Sequence, residues 1–366
     1  MIIDVAQLSD IFEGFRRDSF KNYGLDPAYF ISAPGLSWQA CLLLTKARLE
    51  IIKDPEMSIF IDQSFIGGVS VARNPKLTEK YRLDEQGEKI RTHHLMLLDC
   101  NNQYGHAMSQ HLPTGGFTWD SEATEMSEQD ILGLHDTDGR GYYFEVDLEY
   151  PQHLHDLHDQ YPLAPEHYTI KKEELSEYQT RMAESYNVKM KNTSKLCLTL
   201  HTKTKYKVHF TNLKQYIRLG MKVKKIHRVL SFDQSPWIRE YIRCNTALRQ
   251  QAATKHDENL PKLMNNSVFG KTCEDPFRYS RVKLIYGEDA VNRMQRWQNR
   301  QTFKDVKLIT DRSALVMLKR GCVILNKPRY VGACILSISK SIMYQFHYDF
   351  ILPNFPGKSQ LLFLKK

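Results

Sequence analysis

The sequence predicts an α+β fold on three observations. Apolar residues recur at helical spacing near both ends of the chain, at Val5, Leu8, Ile11, Phe12 and Phe15 and again at Ile335, Ile338, Ile342, Phe346 and Phe350. Between these ends, Leu95-Met96-Leu97-Leu98 is an unbroken apolar run of the kind a buried strand carries. Just after residue 200 the chain alternates, with Lys203, Lys205, Lys207 and His209 on one side and Thr202, Thr204, Tyr206 and Val208 on the other, which is the period of a strand.

The first periodic segment reads as a core-facing helix, and a second is expected to start at Ser37 and carry Trp38, Cys41, Leu42 and Leu49. After the turn at Gly67-Gly68, Arg73 to Thr92 reads as a polar loop. The Leu95–Leu98 strand would deliver Asp99 at its end. Ile131 to Leu134 and Tyr142 to Leu148 flank the turn-forming Asp136-Thr137-Asp138-Gly139 and suggest a hairpin. Lys171 to Lys195 is a charged surface insertion, and the strand after it presents one basic face. Ser235-Pro236 is a helix start, because the hydroxyl accepts an orphan N–H while proline needs no partner there. That helix is expected to reach about Lys255, a short one follows from Leu263 to Phe269, and the last long one spans Val331 to Phe350.

With 366 residues and 42% hydrophobic content, the chain can bury a sizeable core and hold two or three domains. Fifty-one Lys and Arg against 42 Asp and Glu give a net charge of +9, an excess that favours polyanionic partners. The seven cysteines are scattered without a C-x-x-C pair, which speaks against a zinc site or a disulfide framework and for a reducing intracellular compartment. No leader opens the chain and no apolar run approaches the roughly 20 residues of a membrane span, so neither secretion nor membrane insertion is expected.

Two constellations carry chemistry. In Asp99-Cys100-Asn101-Asn102-Gln103-Tyr104-Gly105 a carboxylate is followed five residues later by an aromatic ring. A carboxylate in that position can hold Mg²⁺, a hard cation that takes oxygen ligands and is shared with substrate phosphates. In Lys262-Leu263-Met264-Asn265-Asn266-Ser267-Val268-Phe269-Gly270, helical spacing puts Lys262, Asn266 and Phe269 on one face. That face offers an ammonium, an amide and an aromatic ring.

These segments resemble motif A (D-x-x-S-L-Y-P type) and motif B (K-x-x-x-N-S-x-Y-G) of family B DNA polymerases, above all the protein-primed branch of viruses, linear plasmids and Polinton-like transposons. Further stretches resemble that branch in the same order: Asn22 to Pro27, His106 to Gln110, Phe144 to Pro151, Lys225 to Leu230 and Lys327 to Gly332. The resemblance implies a palm, an antiparallel sheet backed by helices, with helical fingers. Residues 1–94 would be the end of an exonuclease domain and a linker, 95–233 palm with a terminal-protein-region-like insertion at about 115–215, 234–275 fingers, and 276–366 the second part of the palm.

By the same resemblance Asp99 ligates the catalytic metals, Tyr104 packs on the sugar of the incoming dNTP and excludes a ribose hydroxyl, and Lys262 binds triphosphate. Asn266 and Phe269 would line the nascent base pair. Phe65-Ile66-Gly67-Gly68 matches the Y-x-G-G/A linker that touches the template, with Ile66 where many relatives have Arg. Lys222, Lys224, Lys225 and Arg228 are candidate DNA contacts. The implied partners are primer-template DNA, dNTPs and a terminal protein.

Departures from the pattern matter as much. The third motif, D-T-D-S, is expected after Leu361-Leu362-Phe363, yet the chain continues as Leu364-Lys365-Lys366 and stops, so motif C and the thumb are expected to be missing and the two-Mg²⁺ site to be half present. Two-metal phosphoryl transfer needs carboxylates from both motifs, holding ions about 4 Å apart. Asp136-Thr137-Asp138-Gly139 could imitate motif C, and Asp147 motif A, but family order and spacing argue for structural roles. His153, His155 and His158 lack a recognisable fourth ligand. Pro261 is expected to kink or restart the helix ahead of Lys262. Template-directed DNA synthesis is therefore the family reading, and an inactive virus- or transposon-derived remnant that binds nucleic acid or a terminal protein is the alternative.

Overall fold

The computed structural model describes residues 2–72, 81–83, 85–187, 193–276 and 279–365. Helices α1 (Ile2–Tyr23), α2 (Ala33–Thr45) and α3 (Pro55–Gln63) precede strand β1 (Ser70–Ala72), and β2 (Tyr81–Leu83) pairs with β3 (Lys89–Arg91). Helix α4 (Gln103–Met108) leads into β4 (Leu112–Trp119), α5 (Glu128–Gly133) and β5 (Arg140–Glu149). There follow α6 (His155–His158), β6 (Glu166–Tyr168), α7 (Glu177–Ser185), β7 (Lys195–Cys197), β8 (Lys203–His209), α8 (Phe210–Arg218) and β9 (Lys222–Ser235). Next come the paired helices α9 (Arg239–Gln250) and α10 (Lys255–Thr272), then β10 (Ser280–Tyr286), α11 (Ala290–Gln298), β11 (Phe303–Thr310) and β12 (Ser313–Lys319). Helix α12 (Arg329–Gln345) passes through a π-helical turn, Phe346–Ile351, into α13 (Leu352–Asn354) and β13 (Phe363–Lys365).

The fold is α+β, as expected, around an antiparallel sheet in the order β4-β9-β5-β8. Both faces of this sheet are covered. Adjacent residues of β5 and β9 divide between two cores: Tyr143 and Leu230 pack with α2, α9, α10 and α12, whereas Phe144 and Val229 pack with α8 and the tyrosines Tyr344 and Tyr348. The strand period of two sends neighbours to opposite faces: Tyr142, Tyr143 and Phe144 are apolar in succession, whereas from Glu145 to Leu148 charged and apolar residues alternate. Each fully buried large side chain contributes about 1.5–3 kcal/mol. A second sheet, β10-β12-β11, has its own small core of Ile285, Ala290, Val316 and Leu318, so the span 276–366 divides between this layer and α12 with β13.

Several local expectations give way to longer-range pairing. Helix α1 forms, but Val5, Leu8, Ile11 and Phe12 are exposed; of the expected stripe only Phe15 packs on the core. Helix α2 starts at Ala33 rather than Ser37 and leaves out Leu49. Leu95 to Leu98 is exposed and not a strand, since no described strand offers it a partner. The expected hairpin fails because Ser127 and Asp130 close a capping box that winds Glu128–Gly133 into α5, leaving β5 to pair with β8 and β9. Ser235 cannot cap a helix because it pairs with Leu112 at the end of β9. Helix α10 is capped by Thr254 and runs through Pro261 without a break. The loop expected from Arg73 to Thr92 contains the β2–β3 ribbon, with 73–80 and 84 outside the described residues. Residues 188–192 of the charged insertion also lie outside them.

The basic face of β8 is not formed. Lys203 is buried against Glu166 at 2.6 Å, His209 is buried, and Lys205 takes a left-handed φ of 49° opposite an irregularity in β5. Asp147 stabilises that irregularity by accepting from the Lys205 N–H at 2.7 Å and pairing with His227 at 2.9 Å.

Helix α12 fits its neighbours so closely that Gly332 has no room for a side chain. A Cβ there would lie 2.7 Å from Cys273 Sγ and 2.9 Å from the Thr272 carbonyl oxygen, at the end of α10. Gly332→Ala is therefore expected to destabilise the protein by about 1–3 kcal/mol, read as a shift of the urea midpoint.

Three buried histidines set a pH dependence. Burial pulls His158 down to about 4, with His347 adding to the effect, and burial pulls His347 itself to about 4. Burial, then Lys214, pulls His209 to about 3. Below the ordinary histidine value of about 6.5 the unfolded chain takes up protons that the folded chain refuses. Stability should thus fall as pH drops from about 6.5 toward 4. Denaturation midpoints at pH 7 and pH 5 test this, and equal midpoints would contradict it.

Candidate functional site

The first constellation folds into a turn and a short helix. Asn102 sits before α4 with a left-handed φ of 54°, and its carbonyl accepts the His106 N–H at 2.9 Å. Its side chain lies over Gly105, so a Cβ there would have to displace the Asn102 amide. The turn directs Tyr104 towards α10. Asp99 lies in the preceding exposed coil.

The second constellation lies on α10. One side of that helix, with Pro261, Met264, Asn265 and Val268, is buried, whereas Lys262 and Asn266 are exposed and Phe269 is half-buried. Helical spacing accounts for both groups. The two constellations meet: Tyr104 and Phe269 stack with ring centroids 4.2 Å apart and planes 16° from parallel. Such a pair contributes about 0.5–1.5 kcal/mol beyond its buried area. Burial, then Cys273, raises the Tyr104 hydroxyl above its ordinary value, so it stays a neutral phenol. Four of the candidate residues, Tyr104, Lys262, Asn266 and Phe269, thus share one stretch of surface where α4 meets α10.

A buried polar relay fixes α10 in place. Tyr23 OH donates to Asn245 Oδ1 at 2.8 Å, and Asn245 Nδ2 donates to Asn265 Oδ1 at 2.7 Å. Beneath them Ser37 Oγ meets Met264 Sδ at 3.1 Å. The relay joins α1, α9 and α10, and the pattern of motif B gave no sign of it, because Asn265 looks like a spacer beside Asn266. At the far end of α10, Arg329 donates to Asp62 at 2.5 Å and to the Cys273 carbonyl at 3.4 Å, with its guanidinium 4.6 Å from the Phe65 ring centroid.

The candidate DNA contacts of β9 are already engaged in part. Lys222 pairs with Glu128 at 3.6 Å and Lys224 with Glu149 at 2.6 Å. Arg228 donates to Glu145 at 2.8 Å and Glu56 at 2.6 Å and lies near the rings of Phe60 and Trp119. Burial pushes the Glu145 carboxyl up, but hydrogen bonds from Arg228 and Lys207 outweigh it and hold the carboxyl below its ordinary value. Arg228 is thus bound into the sheet, while Lys225 is exposed. Gly67 and Gly68 are half-buried, with open space around the Cα of Gly67. A denser basic region lies elsewhere. Between Tyr279 and Arg320, on the β10–β12 layer, ten Lys and Arg face four Asp and Glu, two-thirds of the chain's net charge. Sequence reading by motif passed over it, although a charge count by segment finds it.

An antiparallel sheet backed by helices, with the helix pair α9 and α10 beside it, is the arrangement that the sequence resemblance implied. The chain belongs to DNA polymerase type B, organellar and viral, whose family model matches residues 2–351. Its structure is similar to that of phi29 DNA polymerase in an orthorhombic crystal form, with a TM-score of 0.50, 12% identity, and coverage of 87% of this chain and 46% of that one. It is also similar to phi29 DNA polymerase complexed with primer-template DNA and incoming nucleotide substrates, at a TM-score of 0.49, 12% identity, and coverage of 92% and 52%. The chain spans about half the length of these structures. No curated protein sequence matches it.

Family B polymerases use divalent metals, which need several oxygen ligands brought together. Among the described residues no group of three or more His, Cys, Asp or Glu stands close enough to hold an ion, and Asp99 is on exposed coil. The described residues do not fit a two-ion site. Asp136 pairs with Lys214 at 3.1 Å, and Gln234 braces its turn through the Asp138 carbonyl at 2.9 Å. His158 meets Tyr150 OH at 2.8 Å. No helix of the described residues is long and apolar enough to cross a membrane.

The relay can be tested by itself. Asn245→Ala leaves Tyr23 OH and Asn265 without their partner, and a loss of about 1–3 kcal/mol in unfolding free energy is expected. Chemical denaturation measures it.

Proposed function

We propose that this chain is the nucleotide- and template-binding part of a protein-primed type DNA polymerase. One observation carries the reading: Tyr104 and Phe269, far apart in sequence, stack beside the exposed Lys262 and Asn266. In this reading Lys262 attracts the triphosphate of a dNTP, Asn266 and Phe269 face the nascent base pair, and Tyr104 fills the space a ribose 2′-hydroxyl would need. Gly67 and Gly68, bare of side chains, let a template backbone approach. The basic β10–β12 layer and Lys225 add attraction for phosphates. The family reaction is attack of a primer or terminal-protein hydroxyl on the α-phosphate of a dNTP, with release of pyrophosphate.

A second reading, an inactive binder of nucleic acid or terminal protein, is favoured by the absence of a carboxylate cluster among the described residues. For the chain as it stands, we expect binding without synthesis. Labelled primer-template should bind with an affinity that falls roughly tenfold or more between 50 and 200 mM salt. Tyr104→Ala should narrow the preference for dNTP over rNTP binding by about tenfold, the loss of about 1.4 kcal/mol of discrimination. Primer extension with Mg²⁺ and dNTPs should yield no product. Extension that Asp99→Ala abolishes would overturn the inactive reading, and salt-independent or undetectable DNA binding would overturn the template-binding reading and the nucleic-acid form of the second.

A further inference from the structure

Helix α12 carries a buried lysine, Lys340, with no carboxylate beside it among the described residues. Lys340 Nζ donates to the Ile66 carbonyl at 2.7 Å, and no ion pair is formed with it among the described residues. Burial pulls its ammonium down to about 7. A buried cation without a counter-charge is costly, and methionine would fill the same space without the cost. What Lys340 supplies is a donor to the linker backbone immediately before Gly67 and Gly68. One residue earlier, the Ser339 carbonyl accepts from Gln103 Nε2 at 2.7 Å, and Gln103 directly precedes Tyr104. One residue later, Ser341 accepts from Asn212 at 2.9 Å through its hydroxyl and from Gln215 at 3.0 Å through its carbonyl. Three successive residues of one helix therefore hold the linker, the α4 turn and α8.

We propose that Ser339-Lys340 is a brace that fixes the linker at Ile66-Gly67-Gly68 relative to the α4 turn carrying Tyr104, with Lys340 a positioning residue for the template strand. The template part rests on the reading of Gly67 and Gly68 given above. The brace makes template placement and nucleotide placement depend on one rigid helix. Without it the linker has lost its buried anchor, while the Tyr104–Phe269 stack keeps its own contacts.

The test compares Lys340→Met with the parent chain in three measurements: hydrogen exchange of the peptide spanning residues 64–70, affinity for primer-template DNA, and affinity for dNTP. Losing the donor to a buried carbonyl should speed exchange in that peptide and weaken DNA binding, each by about tenfold, with dNTP affinity unchanged. Unchanged exchange would overturn the brace, and equal losses of DNA and dNTP binding would overturn its specific role in template placement. Lys340→Gln keeps a shorter donor and should fall between the two; if Lys340→Met does not fold, Lys340→Gln carries the same comparison. If the parent chain binds no primer-template, the template reading fails, while the exchange measurement still decides whether the brace exists.

Discussion

The structure depends on the burial of α12. From Tyr330 to Lys340 every residue of that helix is buried, and its two ends reach different cores, Val331 to Ile338 in one and Tyr344 in the other. A helix enclosed in this way has no freedom to shift without breaking contacts on several sides. Its polar positions are used as anchors: Arg329 for α3 and the end of α10, Ser339 for α4, Lys340 for the linker and Ser341 for α8. The candidate site lies where two of these anchored elements, α4 and α10, meet.

Much of this was legible in the sequence, and what was legible shares a cause. Helix α12 carries a long apolar segment because it is enclosed on several sides, and such a segment stands out in one dimension. The motif residues were also readable, since Lys262, Asn266 and Phe269 share a face by helical geometry alone. That Tyr104 would stack on Phe269 could be expected only from the resemblance to polymerases, because no local rule links positions so far apart.

The failures come from partners that no local window contains. The carboxylates of Glu145 and Glu56 that engage Arg228 are distant in sequence, so these ion pairs could not be read locally. Leu95 to Leu98 read as a buried strand because its composition is right, but a strand exists only with a neighbour to pair with. Helix α1 shows the same limit from the other side: its periodic face is real, yet among the described residues nothing covers Val5, Leu8 or Ile11. The capping box at Ser127 and Asp130 is different, since its signature is local and was overlooked beside the more conspicuous turn at Asp136 to Gly139.

The central claim is that Tyr104 and Phe269 act as one nucleotide-binding surface. A double-mutant cycle of Tyr104→Ala and Phe269→Ala, with dNTP affinity measured by calorimetry, tests it most directly. The account predicts that each single substitution weakens binding and that the second adds little once the first is made, giving a coupling of about 0.5–1.5 kcal/mol. Additive losses, or single substitutions that leave dNTP affinity unchanged, would contradict it.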